Sequence, residues 1–235
     1  MDIKDQVVFV TGASRGLGLA FAREAVKRGA KKVYAGVRNV SSFNQDGITP
    51  IQLDVTNQES IEQALAACGD VSVLVNNAGI VSLNTGSVDD NFIEVTKELM
   101  ETNFYGVIRT SKAFSPILAK NGGGAIINVL SDATWFAIPL LAAYSSTKSA
   151  AWSFTNSLRL TLQEVGTKVV GVHVGFLDTD MTKGLNIPKT QPSVVAQLSY
   201  DGLLHGANEV LADEGTKAIK DSLSSDKATY LVPSN

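Results

Sequence analysis

With 235 residues, 44% of them hydrophobic and 18% charged, the chain is long enough for one α/β domain with a sizeable core and too short for two full-sized domains. Its formal net charge of -3 excludes a global field that would attract nucleic acid or an anionic membrane, so we expect neither as a partner. The single cysteine, Cys68, excludes an internal disulfide, and since we expect no leader peptide or membrane-spanning helix, the sequence predicts a cytoplasmic protein.

Short apolar runs alternate along the chain with longer segments of helical periodicity. Strands are predicted at 7–10, 32–37, 48–53, 71–75, 125–130, 168–174 and 229–232. Helices are predicted at 16–28, 58–67, 90–100, 103–120, 143–166 and 209–222, with a loop-rich substrate lid at about 181–205. Apolar strands separated by helices favour a single domain over residues 1–235. Its expected architecture is a doubly wound, mostly parallel seven-stranded α/β sheet, with helices on both faces and ligands at the carboxyl ends of the strands.

A glycine-rich segment, 11–18, joins the first strand to the first helix. Its glycines allow a sharp turn and close approach to a pyrophosphate, and the helix N-terminus supplies free N–H groups and a partial positive charge. The spacing Gly-x-x-x-Gly-x-Gly between a strand and a helix favours a nucleotide site over a turn that binds nothing, and no Gly-Lys-Ser/Thr follows to make a P-loop. The residues predicted to hold a dinucleotide here are Gly12, Ser14, Arg15, Gly16, Leu17 and Gly18.

The end of the second strand predicts which dinucleotide binds. NAD-binding versions of such a fold place an acidic residue there, on the ribose 2′-hydroxyl. This chain has Arg38 instead, and Arg15 lies in the glycine segment, so two guanidinium groups could converge on a 2′-phosphate. We therefore predict NADP(H) as the cofactor; the alternative is that both arginines are solvated surface residues.

A tyrosine and a lysine, Tyr144 and Lys148, lie four residues apart on a predicted helix and therefore on one face of it. Reduction of a carbonyl group needs a hydride from a nicotinamide and a proton for the developing alkoxide. The ordinary pKa of tyrosine, about 10, is too high for ready proton exchange at neutral pH; the lysine ammonium and the positive ring of the cofactor would both lower it. Ser131, where the fifth strand is predicted to end, can donate a hydrogen bond to the carbonyl oxygen. A tyrosine and a lysine at this spacing usually lie on the protein surface without a function, so the prediction of a catalytic site depends on their combination with the glycine segment.

Taken together, these motifs resemble the short-chain dehydrogenases/reductases over the whole chain. Segment 11–18 resembles the TGxxxGxG of that family, segment 76–79 its NNAG and segment 144–148 its YxxxK, with Ser131 at the usual distance upstream. The resemblance implies a Rossmann fold. It also implies that Asn103, in the helix after the fourth strand, supports a water-linked proton relay.

The resemblance further assigns a role to each catalytic residue. Tyr144 is the general acid/base, Lys148 lowers its pKa and holds the nicotinamide ribose, and Ser131 positions the substrate oxygen. Asp54 is placed at the adenine amino group, with a helix N-cap as the alternative. After the sixth strand the usual Pro-Gly is replaced by Val174-Gly175, which puts the detailed loop geometry in doubt. The other residues predicted to contact the cofactor are Val55, Asn77, Ala78, Gly79, Gly175, Leu177, Thr179 and Met181, beside Tyr144 and Lys148.

The substrate pocket is predicted to lie between segments 80–84, 135–141 and the lid. Their apolar character suggests an apolar or aryl ketone or aldehyde; the alternative is that Trp135 and Phe136 pack into a subunit interface. The residues predicted to contact substrate are Ser131, Ala133, Trp135, Leu141, Tyr144 and Phe176.

The predicted activity is NADP(H)-dependent interconversion of a ketone or aldehyde and an alcohol. The alternatives are an NAD-linked alcohol dehydrogenase and a non-catalytic NADP-binding redox sensor. No metal site is predicted, because neither His173 nor His205 has a carboxylate or cysteine partner at ligand spacing, and His173 is expected to be a core residue. The resemblance also implies a homodimer or homotetramer through the Tyr144 helix, whose small residues Ser149, Ala150, Ser153 and Ser157 would permit close packing, with the terminal strand as a possible second interface.

Overall fold

Seven parallel strands form the sheet at the centre of this computed structural model, which describes residues 1–83, 86–136 and 138–231. The strands are Val7–Thr11 (β1), Lys32–Val37 (β2), Thr49–Gln52 (β3), Val73–Asn76 (β4), Ala125–Val129 (β5), Lys168–His173 (β6) and Glu209–Leu211 (β7). Their order across the sheet is β3-β2-β1-β4-β5-β6-β7. Because the direction of winding reverses between β1 and β4, the carboxyl ends of these two strands flank the crevice where such sheets bind ligands.

Helices cover both faces of the sheet, so the predicted Rossmann architecture is confirmed. The helices are Gly16–Lys27 (α1), Gln58–Ala67 (α2), Phe92–Met100 (α3), Gly106–Lys120 (α4), Ala142–Gln163 (α5), Pro192–Leu204 (α6) and Glu214–Ser222 (α7). Successive residues of β1 point to opposite faces: Val8 packs in the core shared with α1 and α6, and Phe9 in the core shared with α2, α4 and α5. No helix among the described residues is long and apolar enough to span a membrane.

The first six strands were predicted within two residues of their bounds, but the predicted seventh strand is wrong. Residues 229–231 form a turn, and Val232 lies outside the described residues. The seventh strand is instead β7, which occupies the start of the predicted helix 209–222. Val210 pairs in register with Val172, and this edge pairing makes a three-residue strand stable where its own sequence would not. The helix begins only after Asp213, whose side chain accepts a hydrogen bond from the N–H of Thr216.

The two helices predicted at 90–100 and 103–120 are joined without a break. A π-helical turn, Glu101–Tyr105, connects α3 directly to α4. Such turns insert an extra residue into a helix and are frequent at functional sites. Here the turn carries Asn103, which is buried.

The segment predicted as a loop-rich lid is irregular only as far as Gln191. Pro192 occupies the first turn of α6, where its missing N–H would have no intrahelical partner in any case. Helix α6 is held against α1, because Arg28 forms an ion pair with Asp201 at 2.8 Å and the Tyr200 hydroxyl donates to the Phe21 carbonyl at 3.2 Å. Only the part before α6 can therefore act as the lid that the sequence predicts.

A chain of buried polar side chains crosses the centre of the sheet. The Asn76 amide group donates to the Asn128 side-chain oxygen at 2.8 Å and to Ser111 Oγ at 3.0 Å. The Asn128 amide group donates in turn to Thr155 Oγ1 at 2.9 Å. Since buried polar groups are stable only when hydrogen-bonded, these bonds fix the carboxyl ends of β4 and β5 between α4 and α5.

Substitution Thr155→Val tests this chain of hydrogen bonds. The variant keeps the shape of the side chain but leaves the Asn128 amide without its acceptor, so the free energy of unfolding should fall by about 1–3 kcal/mol. Urea denaturation measures the change. The matched control is Thr161→Val at an exposed position on the same helix, which should stay within about 0.5 kcal/mol of the parent. Equal stability of the two variants would contradict the prediction.

Candidate active site

The glycine segment forms a cradle that only glycine can build. Gly12 and Gly16 have φ of +65° and +56°, in the left-handed region that other residues avoid. A Cβ at Gly12 would lie 2.8 Å from the Cα of Ala78, and a Cβ at Gly18 would strike the Gly12 carbonyl and the Asn77 side chain. The backbone of the cradle therefore packs directly against the segment that follows β4.

Hydrogen bonds lock this contact between the ends of β1 and β4. Thr11 Oγ1 accepts from the backbone N–H groups of Asn77 and Ala78, both at 3.0 Å. The Asn77 amide group donates back to the carbonyls of Thr11 at 3.0 Å and Gly12 at 3.2 Å. Val55 and Ala78 line a small cavity beside Thr11. The predicted glycine and NNAG motifs thus form one structure.

The N-terminus of α1 is open to an anion. Arg15 is the N-cap residue, but its side chain makes no capping hydrogen bond, and the first turn holds no acidic residue. Free N–H groups at such an end bind phosphate readily. Ser14 is exposed beside them, whereas the Leu17 side chain is buried in the core, which leaves only its backbone for a cofactor. Thr179 Cγ2 lies 3.4 Å from where a Cβ of Gly16 would stand, so the segment after β6 faces the cradle.

The two arginines predicted to bind a 2′-phosphate are both exposed. Arg15 forms an ion pair with Asp180 at 3.3 Å, and Arg38 follows β2 directly. Asp54 Oδ1 accepts hydrogen bonds from the N–H and hydroxyl of Thr56, and these bonds, together with the charge of Arg38, hold the pKa of Asp54 below its usual value. The N-cap alternative for Asp54 is wrong, because Asn57 caps α2 instead.

Ser131, Tyr144 and Lys148 come together at the carboxyl end of β5. Ser131 Oγ interacts with the Tyr144 hydroxyl and accepts from the backbone N–H of Ala133 at 3.1 Å. Lys148 Nζ lies 5.6 Å from the centre of the Tyr144 ring and donates to the Val129 carbonyl at 3.0 Å. The helical spacing of tyrosine and lysine therefore places both groups at one site, as predicted.

Burial changes the pKa values of both Tyr144 and Lys148. Burial raises the pKa of Tyr144 to about 12; the hydrogen bond with Ser131 lowers it in part, and the charge of Asp132 raises it. Burial lowers the pKa of Lys148 to about 8. The lowering expected from Lys148 together with the positive ring of the cofactor stays a prediction for the cofactor-bound protein. At neutral pH the phenol is protonated, which is the state that a proton donor requires.

Asn103 links the NNAG segment to the helix of the tyrosine. Its side-chain oxygen accepts from the N–H of Ile80 at 2.8 Å, and its amide group donates to the Ile80 carbonyl at 2.9 Å and to Thr147 Oγ1 at 3.1 Å. A Cβ at Gly79 would lie 3.3 Å from the Asn103 side-chain oxygen and 3.8 Å from Lys148 Nζ. Asn103 thus fixes the distance between the cofactor motif and Lys148, and its role in a water relay stays a prediction.

Trp135 is a core residue, contrary to its expected place in the substrate pocket. Its ring is 7% exposed, stacks on His173 with ring centres 4.0 Å apart and meets Trp152 edge-on at 6.1 Å. Packing within the chain also excludes the alternative of a subunit contact through this ring, because an interior position removes more apolar surface from water. Phe136 is partly buried.

The other predicted substrate residues have different exposures. Ala133 is buried and Leu141 is partly exposed, while Phe176 is exposed at the start of the lid segment. Met181, Leu185 and Ile187 continue this exposed apolar surface. The predicted pocket residues Asn84 and Ala137 lie outside the described residues.

His173 is buried in the core, as predicted, and burial lowers its pKa to about 4. It is therefore neutral at physiological pH. His205 lies at the exposed end of α6. Within the described ranges, no three His, Cys, Asp or Glu side chains are grouped so that they could hold a metal ion.

Sequence reasoning missed one acidic residue in the site. Asp132 follows Ser131 directly, accepts a hydrogen bond from its hydroxyl at 3.0 Å and has a pKa that burial raises to about 6. An acidic residue at the carboxyl end of a central strand, beside a candidate catalytic serine, was the available signal.

Comparison with known proteins agrees with this geometry. The sequence model of the short chain dehydrogenase family matches residues 6–190. The 3-oxoacyl-(acyl-carrier-protein) reductase FabG of Salmonella typhimurium is 33% identical, over 99% of this chain and 95% of the relative. The FabG of Vibrio cholerae is 38% identical over 79% of each chain. The crystal structure of a short chain dehydrogenase from Burkholderia cenocepacia in complex with NADP is 35% identical, covers 97% of this chain and 96% of its own, and superposes with a TM-score of 0.90.

The chain therefore belongs to the short-chain dehydrogenase family and is an oxidoreductase of that family. The family predicted from the motifs is confirmed, and the cofactor predicted from Arg15 and Arg38 is the one bound in the Burkholderia structure.

Substitution Gly18→Ala should close the cradle. The added Cβ would strike backbone and the Asn77 side chain, so NADPH should bind at least about tenfold more weakly, measured by quenching of protein fluorescence. Gly69→Ala is the matched control, because a Cβ there meets nothing within 4 Å. Unchanged affinity in Gly18→Ala would show that the dinucleotide does not use this segment.

Proposed function

We propose that this protein reduces a ketone or aldehyde with an apolar tail to the alcohol, using NADPH. The observation that carries the proposal is a protonated phenol, Tyr144, beside the hydroxyl of Ser131 and the ammonium of Lys148, at the edge of the sheet that also holds the glycine cradle. Reduction of a carbonyl group needs a proton and a second hydrogen bond at the same oxygen, which the phenol and the serine hydroxyl can supply together.

The residues around the cradle suit NADP(H). The open N-terminus of α1 favours the pyrophosphate, and the exposed guanidinium groups of Arg15 and Arg38 favour the 2′-phosphate. Asp54, whose Oδ1 is fixed by two hydrogen bonds from Thr56, is proposed to accept from the adenine amino group of the cofactor. The NADP complex of the Burkholderia relative gives independent support.

The mechanism follows from the positions of three side chains. NADPH supplies the hydride. Ser131 holds the carbonyl oxygen, and Tyr144 donates its proton to that oxygen as negative charge develops. The phenolate left behind is stabilised by the ammonium of Lys148, 5.6 Å from the ring centre, in a site where burial strengthens the attraction. Oxidation of the alcohol uses the same groups in reverse.

The exposed apolar side chains of the lid support a substrate with an apolar tail. Four apolar side chains here are between 39% and 57% exposed, and a bound aliphatic chain would cover them: Phe176, Met181, Leu185 and Ile187. The FabG relatives are named for 3-oxoacyl substrates, which combine a ketone with such a chain. With Trp135 in the core, a specific preference for aryl ketones has less support than reduction of a 3-oxoacyl thioester or a similar aliphatic ketone.

A substrate panel tests this proposal directly. The panel pairs NADPH or NADH with 3-oxoacyl thioesters of increasing chain length, aryl ketones and polar sugars, and records loss of reduced nicotinamide. Rates that rise with chain length support the proposal. Turnover only with NAD and an alcohol would identify an NAD-linked alcohol dehydrogenase, and NADPH binding without any turnover would identify a redox-sensing protein.

Tyr144→Phe should lower carbonyl reduction by about 10²–10⁴-fold, because the proton donor is lost. Binding of NADPH should persist, since the cradle is unchanged. Tyr230→Phe is the control, an exposed tyrosine whose replacement should leave the rate as it was. Turnover of Tyr144→Phe at the parental rate would refute the assigned mechanism.

Arg38→Asp should reverse the choice of cofactor. Loss of charge-assisted bonds to the 2′-phosphate should raise KM for NADPH by about 10- to 100-fold, while KM for NADH should fall. Arg23→Asp makes the same change of charge on α1 and controls for the general electrostatic effect. An identical response of both variants would mean that Arg38 does not read the phosphate.

We also propose that the chain forms a homodimer or homotetramer through α5. Ser153 and Ser157 are exposed, with Ser149 and Ala150 partly exposed, and such small residues permit close approach of a second helix. The second interface expected from the terminal strand has lost its support, because residues 229–231 form a turn.

A further inference from the structure

The carboxyl group of Asp132 lies between the catalytic serine and the loop after β6. Its Oδ1 accepts from the Ser131 hydroxyl at 3.0 Å and from the backbone N–H of Ala133 at 2.7 Å. Its Oδ2 lies 3.0 Å from where a Cβ of Gly175 would stand, so that only glycine fits beside it. The backbone N–H of Asp132 donates to the Val174 carbonyl at 3.2 Å. The carboxyl group is therefore held in place from both sides.

A second carboxylate faces the same loop. Asp213 Oδ2 accepts from the N–H of Gly175 at 2.9 Å and lies 3.7 Å from that same Cβ position. Asp132 and Asp213 thus approach Gly175 from two directions. Burial raises the pKa of Asp132 to about 6, and the charge of Asp213 adds to the effect in the same direction.

The hydrogen bond to Asp132 decides what the Ser131 hydroxyl can do. A hydroxyl has one proton to donate. While the carboxylate accepts that proton, Ser131 presents only a lone pair to Tyr144 and cannot donate to a substrate oxygen. Once Asp132 is protonated, its own O–H can donate to Ser131 Oγ, and the serine proton is then free to point at the substrate.

We propose that Asp132 is a positioning residue that controls the Ser131 proton: its carboxylate withdraws the hydroxyl from the substrate, and its neutral acid form releases it. The proposal rests on the carbonyl reduction proposed above. The two donors, Ser131 and Tyr144, then converge on the carbonyl oxygen only when Asp132 carries a proton. Chains of hydrogen bonds of this kind also strengthen one another.

Three other groups near Asp132 have pKa values outside the range from 5 to 7. From α5, Tyr144 faces it with a pKa of about 12, and Lys148, one turn further, has a pKa of about 8. From β6, the His173 ring contacts the Ser131 carbonyl and has a pKa of about 4. From the start of α7, Asp213 acts through its charge. A transition between pH 5 and 7 therefore points to Asp132.

The experiment measures kcat/KM for reduction, at saturating NADPH, from pH 5 to 8. The parent should lose activity as pH rises through about 6, approaching about tenfold per pH unit above the transition because one proton is required. Asp132→Asn and Asp132→Ala should both lack this transition, the first keeping the volume of the side chain and the second removing the acceptor. The Asp132 carboxyl ¹³C resonance, assigned by its loss in Asp132→Asn, should titrate with the same midpoint.

Two further variants sharpen the result. Asp213→Asn removes the neighbouring charge but keeps a residue that caps α7 well, so the midpoint should move to lower pH. Asp221→Asn, an exposed position on the same helix, should leave the midpoint where it was.

A parental transition that persists in Asp132→Asn overturns the proposal, as does a carboxyl titration with no matching change in rate. If turnover depends on Tyr144 but not on the state of Asp132, only this inference falls. If the protein turns over no carbonyl compound, the proposed function falls with it.

Discussion

The side chain of Asn77 is the contact on which the rest of the site depends. It donates to the carbonyls of Thr11 and Gly12, and so holds the end of β4 against the first turn of the glycine cradle. Gly18 must be glycine because this amide group occupies the space that a Cβ would take. The geometry of the cradle is thus set from β4, a strand that is distant in sequence and adjacent in space.

A second set of polar contacts connects β4 to β5 and to the helix that carries Tyr144 and Lys148. Asn76 and Asn128 join β4 to β5 within the core, and Asn103 joins the segment after β4 to Thr147 on α5. These bonds fix the place of Lys148 relative to the cradle. When every polar group of a buried network is hydrogen-bonded, the network favours a single arrangement. This explains how the glycine cradle after β1 and Tyr144 on α5 can be held at a constant distance.

Much of the fold and of the site could be predicted from sequence, because it depends on patterns of residues that are close together in the chain. Helical periodicity predicted α2 with its observed bounds, and the four-residue spacing of Tyr144 and Lys148 predicted that they share a face. What failed depends on tertiary contacts. Strand β7 forms by pairing with the edge of β6. Helix α6 was not predicted because Pro192 lies in its first turn. Trp135 is buried in the core, where its ring stacks on His173. The pKa of Tyr144 in the chain without cofactor could not be predicted, because the burial that raises it is not visible in a residue spacing.

The two ends of the lid segment are joined to each other at its base, the neck formed by Leu177 and Thr190. This affects how the substrate specificity of the enzyme can change. Leu177 and Thr190 form a parallel bridge, with the Thr190 N–H donating to the Phe176 carbonyl at 2.8 Å and the Asp178 N–H to the Thr190 carbonyl at 3.0 Å. Beyond the neck, α6 is anchored on α1. Residues 183–188 lie beyond the contacts that Thr179 and Asp180 make with the glycine cradle. This part of the loop can therefore be lengthened, shortened or exchanged with little strain on the sheet, since closing a somewhat longer loop costs little. Related proteins could therefore acquire new substrates through changes in this loop alone, while Tyr144 and the glycine cradle stayed the same.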